Sequence, residues 1–268
     1  MMIRDELEAL AHRETLAALI VERLNEARTS VTAQWQRYQI QHFVVDELLP
    51  PSLANALFAE FPAPSHMRLV RGLRQNTYVT NHLRSHLEEI VRAFQDPSVL
   101  DALSEVVGAT QLLPDANLSA SGISLMTRGG FQNPHIEPSH DEFRQNYRVL
   151  TANYHLTPDW RLSDGGHLEL WHDGLSSYPT TTLAKFNRLI VIATHRASWH
   201  SISPVDSRRS RCCIFNCYYS PESLVREEYD HLDVFRGRPE QWIRDLWLRG
   251  EQNARQFWRK TLSPRSGD

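Results

Sequence analysis

The chain has 268 residues, 41% of them hydrophobic and 23% charged, with a formal net charge of -3. That balance supplies a hydrophobic core and excludes a disordered, collagen-like or coiled-coil chain, while the slight negative charge argues against nucleic acid or an anionic membrane as partner. Thirteen residues are histidine, and imidazole is both a common metal ligand and a proton carrier.

Residues 2 to about 37 read as helix, because Leu7, Leu10, Leu16, Ile20, Val21 and Leu24 recur at helical spacing. The acids at positions 5, 6 and 8 do not fit a signal peptide. Gln41-His42-Phe43-Val44-Val45 reads as a short strand. Pro50-Pro51-Ser52 opens a helix over about 52–61, since proline is tolerated in a first turn. Two more helices are expected over about 84–95 and 97–107. From about 117 the character changes to short β-like runs separated by Gly, Pro and Asp breakers. These are 119–127, 130–135, 148–156, 166–171, 189–194, 199–204 and 211–219. Many short strands at this spacing point to a sandwich or jelly roll. The tail, about 222–260, reads as helix, and its Trp242, Trp247 and Trp258 read as packing residues. The expectation is therefore one domain over 1–268: mainly helical support with one early strand over 1–115, a β-core over 117–220 and C-terminal helices over 221–268. The longest apolar run near the middle, Leu189 to Ala193, is far too short to span a membrane. Cys212, Cys213 and Cys217 lack the spacing of a disulfide framework or a zinc site and read as reduced core thiols, which with the N-terminus suggests a cytoplasmic protein.

Chemistry concentrates in a few residues. His135 and Glu137 stand two apart, and on a strand residues i and i+2 share a face, so both can reach one ion. His167-Leu168-Glu169 repeats the pattern, so the motif alone decides little. His200 follows on a later β-run, and Arg211 comes eleven residues after it. Two histidines and one carboxylate on one face of iron leave three positions open, enough for a bidentate 2-oxo acid and dioxygen. The far carboxylate of such a co-substrate calls for a planar, permanently charged partner, which arginine provides.

These residues resemble the prolyl-hydroxylase-like Fe(II)/2-oxoglutarate oxygenases. The resemblance covers roughly residues 40–220. It rests on Phe43 to Pro50, Pro134-His135-Ile136-Glu137, Tyr147 to Trp160, Gly165 to Leu170, Ser198-Trp199-His200-Ser201 and Arg211 to Tyr219. It implies an α+β chain whose core is a double-stranded β-helix, of jelly-roll or cupin-like form, supported by N-terminal and C-terminal helices. It implies that His135, Glu137 and His200 hold Fe(II) and that Arg211 anchors 2-oxoglutarate. The chemistry implied is oxidative decarboxylation of 2-oxoglutarate by O2, giving succinate and CO2, coupled to attack on a substrate C–H bond.

Two departures stand out. The family usually has Asp where this chain has Glu137, and its halogenating relatives have Gly or Ala there, so a carboxylate argues against halogenation unless Glu137 swings away. At His155 relatives often carry a tyrosine that touches 2-oxoglutarate; strand alternation places His155 with Thr151 and Asn153, where an imidazole N–H can replace the hydroxyl. His195 is the alternative distal ligand, and Arg208 and Arg209 compete with Arg211. His140, Asp141, Glu142 and Arg144 lie where the family commonly forms a loop over the site. Of these, His140, Asp141 and Arg144, together with Asn153, are candidate substrate contacts. The substrate expected is a small or amino-acid-like molecule. Peptidyl proline, a desaturation or cyclisation outcome, and a non-catalytic cupin-like binding protein are the alternatives. The family also dimerises through helices on the sheet, which keeps a homodimer open.

Overall fold

The computed structural model describes residues 12–83, 86–226 and 230–262, with side chains as far as residue 255. The expected helical start at residues 2–11, and the side chain of Trp258, lie outside these.

Helix α1 (Arg13–Glu26) buries Leu16, Ala17, Ile20 and Leu24, one face at helical spacing. The chain turns at Ala27 into α2 (Arg28–Arg37), which buries Val31 and Trp35. Strand β1 (His42–Asp46) follows, then α3 (Pro51–Ala59), with proline in its first turn as expected. Next come β2 (Arg68–Arg71) and β3 (Gln75–Thr80), paired as an antiparallel hairpin. This hairpin corrects the expectation of a single early strand. Its residues are only partly buried, so they lack the apolar alternation that marks a strand in sequence. Helices α4 (His86–Ala93) and α5 (Pro97–Val107) follow; Asp96 caps α5 by accepting from the Ser98 amide.

The β-region is built from β4 (Leu113–Pro114), β5 (Gly122–Met126), β6 (Phe131–Ile136), β7 (Tyr147–His155), β8 (Leu168–Leu170), β9 (Thr180–Thr182), β10 (Arg188–Ala193), β11 (His200–Ile202) and β12 (Arg211–Ser220). All seven expected runs are strands, and the structure adds β4 and β9. The strands form one curled antiparallel sheet in the order β1-β10-β7-β12-β5-β3-β6-β11-β8-β9, the jelly-roll arrangement expected. The tail departs from expectation. Residues 230–241 contain no helix, and β13 (Val234–Phe235) pairs with β6 before α6 (Trp242–Leu262) begins. Trp242 and Trp247 are 71% and 69% exposed, so they are not the packing residues that helical spacing suggested.

Alternation sorts the sheet's two faces. On β10, Leu189, Val191 and Ala193 join the large cluster that packs α1 to α5 against the sheet, while Ile190 and Ile192 join a smaller cluster inside the roll with Trp160, Leu168 and Ile202. On β12, Cys212, Ile214 and Tyr218 face the helices. Each Leu, Ile or Val among them, fully buried, contributes about 1.5–3 kcal/mol. Polar ties fix the helical layer: Tyr218 donates to the Phe94 carbonyl at 3.0 Å, and Gln95 donates to Asn216 at 2.8 Å.

The odd positions of β12 face the other way, and Arg211 and Phe215 line a cavity within the roll. On β7 the matching set is Thr151 and Asn153. A bulge interrupts this strand: Tyr218 pairs with Leu150 and Tyr219 with Arg148, leaving Val149 as an extra residue. Val149 and Leu150 both enter the helix-side cluster, and Arg148 is turned onto the cavity wall beside Thr151.

Candidate active site

His135 sits near the end of β6, Glu137 just past it, and His200 at the start of β11, which is paired directly to His135. Strand pairing therefore brings together two histidines 65 positions apart. Their ring centroids are 4.1 Å apart. Glu137 Oε1 lies 3.7 Å from His135 Nε2 and 3.9 Å from His200 Nε2. Each ring is oriented by its own strand: His135 Nδ1–H donates to the Asn133 carbonyl at 2.9 Å, and His200 Nδ1–H to the Ser198 carbonyl at 2.8 Å. That fixes the tautomer and turns a bare Nε2 lone pair toward the carboxylate, the orientation a metal ligand needs. His135 Nε2 is buried with no hydrogen-bond partner. Phe235 of β13 stacks on the His135 ring at 4.8 Å and 8°.

The electrostatics suit a divalent cation. Burial, then the neighbouring His135, pushes the His200 pKa down to about 3, so the ring is neutral at ordinary pH. Burial opposes ionisation of Glu137. The Arg148 charge is the main opposing influence, and the carboxyl is held well below the usual range. Arg148 Nη1 lies 3.1 Å from Glu137 Oε2.

The cavity beyond the cluster is about 340 Å3 and runs past Thr151, Asn153 and Phe215 to Arg211. Arg211 is buried, its Nε has no partner, and no carboxylate lies within ion-pair distance of it among the described residues. Gly166 makes room for it. At φ +67°, a Cβ on Gly166 would stand 2.8 Å from Arg211 Cδ, so both the turn and the contact call for glycine. His155 is buried nearby, and both ring nitrogens lack partners. Burial, then the Arg211 charge, pushes its pKa well below the ordinary value, leaving a neutral ring with one donor and one acceptor to offer. A buried unpaired guanidinium beside an unsatisfied imidazole fits a dianionic 2-oxo acid, and the His–Glu–His cluster fits Fe(II).

The other expected residues divide. Asn153 lines the cavity. His140, Asp141 and Arg144 do not; they line a neighbouring pocket that shares only Arg148 and Ala120 with it. Asp141 accepts from the Gln145 and Asn146 amides and so shapes its own loop. Arg144 faces Asp230 at 3.7 Å, and His140 hydrogen-bonds Ser139. His195 is a turn residue whose Nδ1 accepts from the Ala197 amide. His167 bonds the Leu162 carbonyl and the Ala184 amide, and Glu169 pairs with Arg238 at 2.5 Å. Arg209 donates to the Pro158 and Asp159 carbonyls, and of Arg208, Arg209 and Arg211 it is Arg211 that lines the cavity. Sequence reasoning missed Arg148, Phe235 and the hairpin residues Arg68, Val70, Gln75 and Thr77, which form the cavity's outer wall. A second cavity of about 500 Å3, bordered by His135, Asp233, Phe235 and Glu251, shares Val70, Gln75, Gln132, Glu137 and Arg148 with the first.

Comparisons with known proteins agree with this arrangement. Residues 121–219 match the family model described as the 2OG-Fe(II) oxygenase superfamily. The fold is similar to a Pseudomonas putida prolyl-4-hydroxylase, at 17% identity and a TM-score of 0.55, covering 71% of this chain and 97% of that one. It is also similar to a prolyl 4-hydroxylase from Phytophthora capsici, at 21% identity and a TM-score of 0.54, covering 75% of this chain and 65% of that one. At such identities the likeness establishes the fold. No curated protein matches the sequence. Sequence match, fold and cluster chemistry point the same way: residues 121–219 match the 2OG-Fe(II) oxygenase superfamily model, the fold is that of prolyl 4-hydroxylases, and a His–Glu–His cluster lies at the site.

Proposed function

We propose that the chain, as one domain over 1–268, hydroxylates an unactivated C–H bond of a small polar molecule, with succinate and CO2 as co-products. The observation that carries this reading is a cavity lined by Glu137 and His200 of the His–Glu–His cluster together with Arg211, which has no carboxylate partner among the described residues, while His135 completes the cluster from the adjoining cavity. His135 Nε2, His200 Nε2 and a Glu137 oxygen would hold the iron, and strand pairing sets the two histidines side by side for it. Bound there, iron with 2-oxoglutarate supplies the oxidising power for C–H attack.

The chain's own residues bind and orient. Arg211 and His155 take the distal carboxylate of 2-oxoglutarate, Arg211 by paired charged hydrogen bonds and His155 by its N–H. Phe235 and Phe215 cover the site and exclude water. The substrate approaches on the side of Gln75 and Gln132, where the two cavities meet. Asn153 contacts it from the cavity wall. A carboxylate at 137 occupies the position that halogenation would need vacant.

A second reading is a peptidyl-prolyl substrate. It is favoured by β2, which among the described residues pairs only with β3 and so offers a strand edge beside the cavity. The test is an anaerobic titration with Fe(II) and 2-oxoglutarate, followed by succinate assay in air. A weak visible charge-transfer band and succinate formation are expected. His200→Ala removes both, and Glu137→Asp keeps the band. No band and no succinate from the wild type would return the chain to a cupin-like binding role. Stimulation of turnover by prolyl peptides but not by small polar compounds selects the second reading.

A further inference from the structure

The metal cluster has an unusual neighbour. Glu137 divides its carboxylate between two partners: Oε1 stands 3.7 and 3.9 Å from the two histidine nitrogens, and Oε2 stands 3.1 Å from Arg148 Nη1. Arg148 is held from behind. Its Nη2 donates to Thr151 Oγ1 at 3.3 Å and to Cys217 Sγ at 2.9 Å. Cys217 in turn donates its S–H to the Ala120 carbonyl at 2.9 Å. Burial pushes the Cys217 thiol up to about 12, so it stays protonated and its sulfur remains an acceptor. The Arg148 backbone is tied on both sides, with its amide donating to the Ser139 carbonyl at 2.9 Å and its carbonyl accepting from Thr194 Oγ1 at 3.0 Å. Both residues of the pair are largely buried, at 11% and 18% side-chain exposure. The bulge at Val149 is what delivers Arg148 to this place, because regular alternation would send it to the helix side.

We propose that Arg148 is a positioning residue for the metal site: it occupies Glu137 Oε2, so that the long glutamate presents one oxygen, Oε1, to the ion and is kept from swinging away. This rests on the reading of His135, Glu137 and His200 as ligands. Physical chemistry favours the division. The extra methylene of glutamate adds a rotatable bond, so an unrestrained Glu137 would sample several carboxylate positions and lose entropy on binding metal. A fixed guanidinium selects one of them before the metal arrives. A shorter aspartate at 137 would be too short to span both Arg148 and the histidines.

The probe is Co(II) alone, binding measured by calorimetry and by its visible absorption, without 2-oxoglutarate or turnover. Arg148→Gln is expected to weaken Co(II) binding about 10–100-fold, the range for losing a residue that orients a ligand. It should also alter the Co(II) spectrum as the freed carboxylate changes its mode of coordination. Glu137→Asp is expected to bind Co(II), and adding Arg148→Gln to it should cost much less than in the wild type, giving a non-additive cycle. The paired variant Thr151→Val with Cys217→Ala leaves both members of the ion pair in place. It should weaken binding in the same direction by a smaller factor, and it decides the matter if Arg148→Gln does not fold. Unchanged Co(II) affinity and spectrum in Arg148→Gln, or an additive cycle with Glu137→Asp, would overturn the proposal and leave the ligand assignment standing. Failure of the wild type to bind Co(II) would overturn both.

Discussion

Arg148 and Arg211 line the same cavity from paired strands, β7 and β12, and both are largely buried, yet their electrical surroundings are opposite. Arg148 is neutralised by Glu137 and backed by Thr151 and Cys217. Both have an Nε without a partner, but Arg211 has no carboxylate partner among the described residues and lies beside a histidine with two unsatisfied nitrogens. A buried charge without a partner is costly, so folding keeps one only where something else is gained. The difference separates an arginine that serves the protein's own site from one that awaits an anion.

The largest effect should come from the unpaired side. Arg211→Leu removes a charged, forked donor from a buried carboxylate site, a loss of about 2–5 kcal/mol, or roughly 30-fold or more in 2-oxoglutarate affinity. Arg211→Lys should fall between, because charge is kept and the fork is lost. Calorimetric titration of the metal-loaded protein with 2-oxoglutarate checks this, and equal affinity in all three would remove the distinction between the arginines.

Stability should sort the two arginines in opposite directions. Arg148→Leu strands a buried Glu137, and the metal-free protein should lose about 1–3 kcal/mol. Arg211→Leu removes an unpaired buried charge and should leave the metal-free protein equally or more stable. Urea unfolding of both variants makes the comparison; a large loss in Arg211→Leu would mean that it is already paired.

Gly166→Ala tests the same site indirectly. The new methyl would meet Arg211 Cδ at a backbone angle that disfavours any side chain, so a loss of about 1–3 kcal/mol in stability is expected. The 2-oxoglutarate affinity should fall with it, while Co(II) affinity stays near wild type. Equal loss of both ligands would mean general unfolding rather than displacement of Arg211.

The smallest effect is with pH. His200 is pushed down to about 3 from 6.5, and His155 shifts in the same direction. Between those values the unfolded chain holds protons that the folded chain does not, so stability rises with pH. The metal-free protein should therefore weaken progressively as pH falls below 6.5 toward about 3. His155→Phe should flatten the slope. Urea midpoints at several pH values test this, and a profile level below pH 6.5 would contradict the buried neutral histidines.

Much of this site was legible without coordinates. The spacing of His135 and Glu137, the late His200 and the inward parity of Arg211 follow from strand alternation, which is a local property. Seven of the nine strands of the β-region were legible for the same reason; the short β4 and β9 were not. The hairpin β2–β3 and the extended segment before α6 were not, because their half-exposed residues carry no clean period and their strand state depends on neighbours far along the chain. Phe235 was hidden with that segment. The loop residues His140, Asp141 and Arg144 were placed near the site by chain order, but the hydrogen bonds of Asp141 turn the loop toward a neighbouring pocket.

Sequence by itself determined the chemistry on offer: two imidazoles, one carboxylate and one arginine, on strands whose alternation turns them inward. Tertiary structure alone decided how Glu137 is held. By parity Arg148 belongs on the helix side of β7, opposite Thr151, and only the extra residue Val149, set against β12, rotates it onto the cavity wall. A bulge is a register relation between two strands, so neither strand's sequence contains it.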